Sequence, residues 1–104
     1  MKGSGLKSDH IEVICSSFKG VLSPSQKLKV WLFGSRARGS YKKYSDIDLL
    51  IDSDPQLIEA QLIKIKEALE ESQLPFKVDL VKIEDLNVSY GSQVNAEKRL
   101  FFEC

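Results

Sequence analysis

The chain has 104 residues and a mass of 11.7 kDa, which is room for one small domain with a single core. Its 15 basic and 15 acidic residues cancel at neutral pH and 42% of its residues are apolar, so the composition argues against both a strong nucleic-acid binder and a disordered chain. Two cysteines and one histidine are too few for a disulfide framework, a His-rich zinc site or a Ser-His-Asp triad, so we expect none of these. The sequence has no apolar run of membrane-spanning length, and Met1–Lys7 has no apolar core of the kind a secretory signal carries, so we expect a cytoplasmic domain without a membrane anchor.

Apolar residues at three- and four-residue steps predict a first helix over about 9–22, with Asp9 and Glu12 spaced as a capping box. The helical pattern is broken by Ser23-Pro24-Ser25. The short apolar run Val30-Trp31-Leu32-Phe33 follows and is ended by Gly34. A run of this kind predicts a strand that is buried on both faces.

Two later strand patterns carry acidic residues. In residues 47–51 the apolar side chains alternate, which places Asp46 and Asp48 together on one face. Residues 76–81 predict a further strand, in which Asp79 faces away from its two neighbours. The sequence therefore predicts that acidic side chains from two strands enter the same region.

Helical patterns occupy the rest of the chain. Asp54-Pro55 predicts a helix cap followed by proline at the first helical position, and an apolar stripe continues this helix to about residue 71. A weaker helical pattern runs from Ser92 to Glu103. We find no repeat or linker, so we expect a single α/β domain over residues 1–104.

The segment Gly34-Ser35-Arg36-Ala37-Arg38-Gly39-Ser40 directly follows the first predicted strand. A glycine at a strand end lets the backbone turn sharply and approach a ligand. Exposed N–H groups, the Ser35 hydroxyl and nearby guanidinium groups suit a phosphate chain. This segment is therefore a candidate phosphate-binding turn, with Arg36 and Arg38 both open as phosphate contacts.

Asp46-Ile47-Asp48 follows Ser35 after ten residues. Carboxylates two residues apart on one strand face lie near enough to share a cation, and oxygen-only ligands favour magnesium. Asp79 is the third candidate ligand, although Glu84 and Asp85 lie nearby and only the strand register selects between them. Crowded carboxylates repel one another, and a divalent cation would offset that repulsion.

The candidate phosphate-binding turn and the acidic residues together place a triphosphate beside carboxylate-bound magnesium. This combination predicts nucleotidyl transfer to a hydroxyl group with pyrophosphate as the leaving group. Two metal ions suit this reaction, and Asp79 is a candidate to accept the hydroxyl proton. The glycine pattern fits neither a P-loop nor a dinucleotide-binding fingerprint, and no protein-kinase motif set occurs.

The residues Phe33–Gly39 with Ser45–Leu50 resemble the minimal nucleotidyltransferases of the polymerase-β superfamily. The resemblance spans about residues 28–82 and implies a small mixed β-sheet with flanking helices. It also implies that the glycine-serine turn holds the nucleotide phosphates of ATP and that three acids hold magnesium. The matching positions in this sequence are Gly34, Ser35, Asp46, Asp48 and Asp79.

Many small proteins of this family are antitoxins that adenylylate a partner toxin of the HEPN type. The resemblance therefore implies a HEPN toxin as partner, a hetero-oligomer, and AMP transfer to a tyrosine hydroxyl. Leu100-Phe101-Phe102 is a candidate partner contact, the alternative being that it covers the core. Two other functions stay open: an antitoxin that blocks its partner sterically, and transfer to a small hydroxylated molecule.

Overall fold

The computed structural model describes residues 4–43, 45–54, 56–85 and 96–103. The chain order of the elements is helix α1 (Ser8–Lys19), strand β1 (Lys27–Phe33), short helix α2 (Ser35–Arg38), strand β2 (Ile47–Asp54), helix α3 (Glu59–Glu71), strand β3 (Val78–Lys82), a 3-10 turn (Ile83–Asp85) and strand β4 (Arg99–Glu103). Within the described ranges, none of the helices has the length and apolar character that crossing a bilayer requires.

The four strands form one mixed sheet in the order β3-β2-β1-β4. Strand β1 pairs antiparallel with both β2 and β4, whereas β2 and β3 run parallel. The parallel pair needs a crossover, which α3 supplies. The predicted α/β class with a small mixed sheet and flanking helices is confirmed.

The core lies between one face of the sheet and the helices α1 and α3. Its members are fully or almost fully buried, among them Ile14 and Phe18 of α1, Ile65 of α3, and Leu32 and Leu49 of the sheet. The other face carries a smaller apolar cluster. This second cluster consists of Phe33, Leu50, Trp31, Val81 and Ile83.

The apolar run Val30–Phe33 is a strand as predicted, and its burial on both faces is confirmed except at Trp31, which is half-buried. Leu28, Val30 and Leu32 are buried, but Lys27 and Lys29, which alternate with them, are exposed. The helices cover only one face of the sheet, so the first residues of this central strand alternate between buried and exposed. The opposite face remains available for a site.

The predicted start of α3 is wrong. Asp54 is the last residue of β2, where it pairs with Lys27, and the helix begins at Glu59. Pro55 lies outside the described residues. The turn before the helix is held instead by Ser53, whose hydroxyl accepts a hydrogen bond from Leu57 N at 3.0 Å.

The chain end differs most from the prediction, because Arg99–Glu103 is a strand and not part of a helix. Residues 92–95 of the predicted helix lie outside the described part. A strand forms here because it pairs with the otherwise open edge of β1, and Phe101 is a residue type that is enriched in strands. Phe101 packs against the core cluster and Leu100 is exposed, while the Phe102 side chain is not described.

Candidate active site

A sharp turn at Gly34 joins β1 to α2. Its backbone angles, φ 76° and ψ −156°, lie in a region that is almost restricted to glycine. A Cβ atom at this position would lie 3.2 Å from Asp48 Cγ and still closer to Asp48 Oδ2. Glycine is therefore required twice, for the backbone conformation and for the approach of the carboxylate. The predicted turn and the predicted acidic strand meet at this point.

The residues after Gly34 close into one compact turn. The Gly34 carbonyl accepts hydrogen bonds from Ala37 N at 3.1 Å and Arg38 N at 3.2 Å. Gly39 has φ 79°, and its N–H donates to the carbonyl of Ser35, as does Ser40 N at 3.0 Å. Ser35 is half-buried at the first position of α2, next to the approach of Asp48 to Gly34.

Asp48 and Asp79 are direct partners in the parallel pairing of β2 with β3. Neighbouring strands lie about 4.8 Å apart, and alternation puts both side chains on the face opposite to α1 and α3. Asp46 is exposed and directly precedes β2. Glu84 and Asp85 are exposed in the 3-10 turn beyond β3, so the register pairs Asp79, and neither of them, with Asp48.

The electrostatics of the acids agree with this placement. Burial raises the pKa of Asp48, the negative charges of Asp79 and Asp46 raise it further, and Arg38 partly opposes them. Lys77 Nζ lies 3.7 Å from Asp79 Oδ1, at the edge of the sheet. The surroundings of Asp48 therefore destabilise its negatively charged carboxylate.

The donor set fits magnesium, because aspartate oxygens are the ligands that this ion prefers. Across the described ranges, however, no three His, Cys, Asp or Glu side chains are grouped closely enough to form a metal site as they stand. Asp48 and Asp79 face one another and Asp46 acts on Asp48 electrostatically. The assignment of these three acids as metal ligands stays a prediction.

The two arginines of the turn have different surroundings. Arg36 is 1% exposed, and burial lowers the pKa of its guanidinium. The Arg38 side chain is 44% exposed, close enough to Asp48 to lower the pKa of that carboxyl, and its Nη1 lies 3.0 Å from Glu97 Oε2. Of the two predicted phosphate contacts, the geometry favours Arg38.

The sequence analysis did not predict that Glu97 lies next to the site. Glu97 is 59 residues from Arg38 along the chain and is not part of a recognisable motif. The cleft beside the acids was also not predicted. A cleft of about 550 Å³ opens along β3, with Phe33, Asp48 and Asp79 in its lining. Only the folded register brings these groups together, so no local signal reveals them.

Comparison with known proteins identifies the family and the fold of the chain. A family model described as "Nucleotidyltransferase domain" matches residues 14–102. A relative from Haemophilus influenzae named "Probable protein adenylyltransferase MntA" is 52% identical over 52 residues, which are 50% of this chain and 46% of the relative. The chain thus aligns with about half the length of that curated relative.

Solved structures share the fold. A chain of a toxin-antitoxin crystal structure with AMP-PNP superposes with a TM-score of 0.69 at 22% identity, covering 88% of this chain and 72% of that one. A chain of the complex between a tri-AMPylated Shewanella oneidensis HEPN toxin and an MNT antitoxin gives a TM-score of 0.56 at 21% identity, with 88% and 71% covered.

Proposed function

Since this chain belongs to the nucleotidyltransferase domain family, we propose that it is a magnesium-dependent enzyme that transfers AMP from ATP to a hydroxyl group of a partner toxin. The observation that carries the proposal is the meeting of the Gly34 turn with Asp48, which in turn lies opposite Asp79. A phosphate-binding turn and a carboxylate pair at one place are what nucleotidyl transfer requires.

In the proposed reaction the Gly34-Ser35 turn and the exposed Arg38 hold the triphosphate of ATP. Asp46, Asp48 and Asp79 would hold magnesium, which when bound supplies positive charge against the triphosphate and the departing pyrophosphate. The acceptor oxygen attacks the α-phosphorus and the bond to pyrophosphate breaks. Asp79 accepts the proton of the acceptor hydroxyl, a role that suits its half-exposed position beside the cleft.

The partner is proposed from the similar proteins. The curated relative carries the name of a probable protein adenylyltransferase, and the two solved structures described above come from toxin-antitoxin complexes. We therefore propose a HEPN toxin as acceptor and a hetero-oligomer as the working state. A tyrosine as the modified residue is proposed from the family resemblance alone, and the cytoplasm as the location from the sequence composition.

To test the proposal, the protein is incubated with labelled ATP, magnesium and the partner that co-purifies with it, and the label on the partner is measured. The test variant is Asp46→Asn with Asp48→Asn, and the matched control is Asp52→Asn, an exposed acid farther along β2. We expect label on the partner with the wild type and with the control, and at least about 100-fold less with the double variant. Equal neutralisation of the toxin by all forms without label would show that the protein blocks its partner sterically.

A further inference from the structure

Arg36 is a buried cation whose partners are carbonyl groups and aromatic rings. Its Nη1 donates to the Ser4 carbonyl at 2.8 Å, and its Nε and Nη2 donate to the Ser45 carbonyl at 3.1 and 3.0 Å. The guanidinium carbon lies 4.3 Å from the ring centre of Phe76 and 5.0 Å from that of Tyr41. In the part of the chain described, no carboxylate is within salt-bridge distance of it.

These contacts leave Arg36 little capacity for a triphosphate. The side chain is 1% exposed, so a phosphate would reach it only after the rings or the carbonyls had moved. Burying a cation without a counter-charge is unfavourable, and the two carbonyls and the two rings compensate it here. The guanidinium group of Arg36 is therefore occupied by hydrogen bonds and ring contacts inside the protein.

The Ser45 carbonyl belongs to the peptide group whose nitrogen is that of Asp46. A peptide group is planar, so fixing its oxygen fixes the plane that leads into Asp46. On one side of this group, Ser45 N donates to the Lys42 carbonyl at 3.1 Å and the Ser45 hydroxyl accepts from Lys42 N at 2.7 Å. On the other side, Ile47 N donates to the Lys77 carbonyl at 2.8 Å.

Asp46 itself lies between the loop and β2 and is exposed. Ladder pairing of β2 with β3 begins only at Ile47, so the strand does not by itself orient the Asp46 peptide. Arg36 bridges this position to the turn that follows β1. One side chain thus connects the phosphate-binding turn with the first acid of the pair.

We propose that Arg36 is a positioning residue that holds the Ser45–Asp46 peptide, and with it the Asp46 carboxylate, in the orientation for binding a divalent cation beside Asp48. It makes no contact with the nucleotide, which is left to Arg38. The inference rests on the proposed function, since it assigns Arg36 a role in the same site.

The test compares Arg36→Lys and Arg36→Met with Leu6→Ala. Lysine keeps the charge but cannot donate through two nitrogens to one carbonyl, whereas methionine removes all donors. Leu6 is a core residue of the same N-terminal segment, 7% exposed, so Leu6→Ala lowers stability without removing the bonds to Ser45. Arg38→Gln serves as the comparison for a lost phosphate contact.

Three quantities are measured: amide hydrogen exchange, magnesium affinity in the absence of ATP, and the kinetics of AMP transfer. In both Arg36 variants we expect amide exchange at Ser45 and Ile47 to rise at least about tenfold relative to Leu62 in α3, and magnesium affinity to fall by a similar factor. We expect kcat to fall while KM for ATP changes less than about twofold, whereas Arg38→Gln raises KM.

A raised KM for ATP with unchanged kcat in the Arg36 variants would overturn the proposal, because Arg36 would then bind the nucleotide. Exchange and magnesium affinity equal to those of Leu6→Ala would overturn it too, since the role would be structural only. If the wild type transfers no AMP, the proposed function fails, while hydrogen exchange still decides whether Arg36 fixes the Asp46 peptide. If Arg36→Met does not fold, the conservative Arg36→Lys gives the decision.

Discussion

The turn at Gly34 allows a sharp test, because alanine there meets two separate obstacles. The glycine-restricted backbone conformation costs about 1–3 kcal/mol for a residue with a Cβ atom. The added atom also collides with the Asp48 carboxylate, which has to move. For a domain of this size each kcal/mol lowers Tm by about 4–8 °C, so we expect Gly34→Ala to lower Tm by at least about 5 °C.

The displacement of Asp48 affects activity as well as stability. A shift of about 1 Å in a catalytic group costs about 100-fold in rate, so we expect a loss of that order in AMP transfer at temperatures where the variant is folded. The assay combines thermal unfolding, followed by circular dichroism, with label transfer to the partner well below Tm. The fraction of folded protein is measured in the same sample.

Gly20→Ala is the matched control. Gly20 ends α1 with φ −68° and ψ −14°, and a Cβ atom there would meet only the Ser16 carbonyl oxygen at 3.5 Å, an ordinary contact. Removing glycine from such a position stabilises by about 0.4–1 kcal/mol, so Tm should stay or rise and activity should not change. If Gly34→Ala behaved like Gly20→Ala in both measurements, the described approach of Asp48 to the turn would be refuted.

Three further changes follow from the structure. Asp48→Asn should raise the free energy of unfolding at neutral pH without divalent cations, because burial and the charges of Asp79 and Asp46 disfavour the charged carboxylate in the folded state. Denaturant unfolding at several pH values measures the stability difference between the variant and the wild type. This difference should vanish as pH falls through the raised pKa of Asp48 toward the ordinary value, because the wild type then gains the same stability by binding a proton. A variant less stable than the wild type at neutral pH would contradict the prediction. Ile65→Ala, at a fully buried core position, should cost about 2–5 kcal/mol in the same experiment, and a change below 1 kcal/mol would contradict the described core. Arg38→Gln should change stability by less than about 1 kcal/mol, since its ion pair with Glu97 is solvent-exposed, yet weaken ATP binding in a titration; unchanged affinity would remove Arg38 from the site.

Local patterns were sufficient for the parts of the site that lie close together in sequence. The glycine after an apolar strand predicts the turn at residue 34, and alternation predicts the face on which Asp46 and Asp48 lie. For Asp79, the alternation of apolar residues predicts the face of its strand on which it lies, but not which residue of the neighbouring strand lies opposite. Its place opposite Asp48 depends on which strands pair and in which register, and both follow from the packing of the whole sheet.

Other features had no local signal. Arg36 and Arg38 are two residues apart on α2, so their side chains project about 160° from one another around the helix axis, and nothing in the local sequence indicates which of them is buried. The chain end was misread because a weak helical period competes with pairing to β1, a contact about 70 residues away along the chain. Tertiary pairing overrides such weak local preferences.

The parallel pairing of β2 with β3 has a consequence for how the site comes into being. Antiparallel strands can be joined by a short turn, but the parallel strands β2 and β3 meet only after the chain has folded back over α3, which lies between them in sequence. The repulsion between Asp48 and Asp79 therefore arises only when β3 pairs with β2, a non-local contact that requires the intervening chain to close first. Asp46 and Asp48 are neighbours in any state of the chain, but Asp79 lies 31 residues beyond Asp48 and joins them only through this pairing. The arrangement of all three acids therefore depends on the folded sheet.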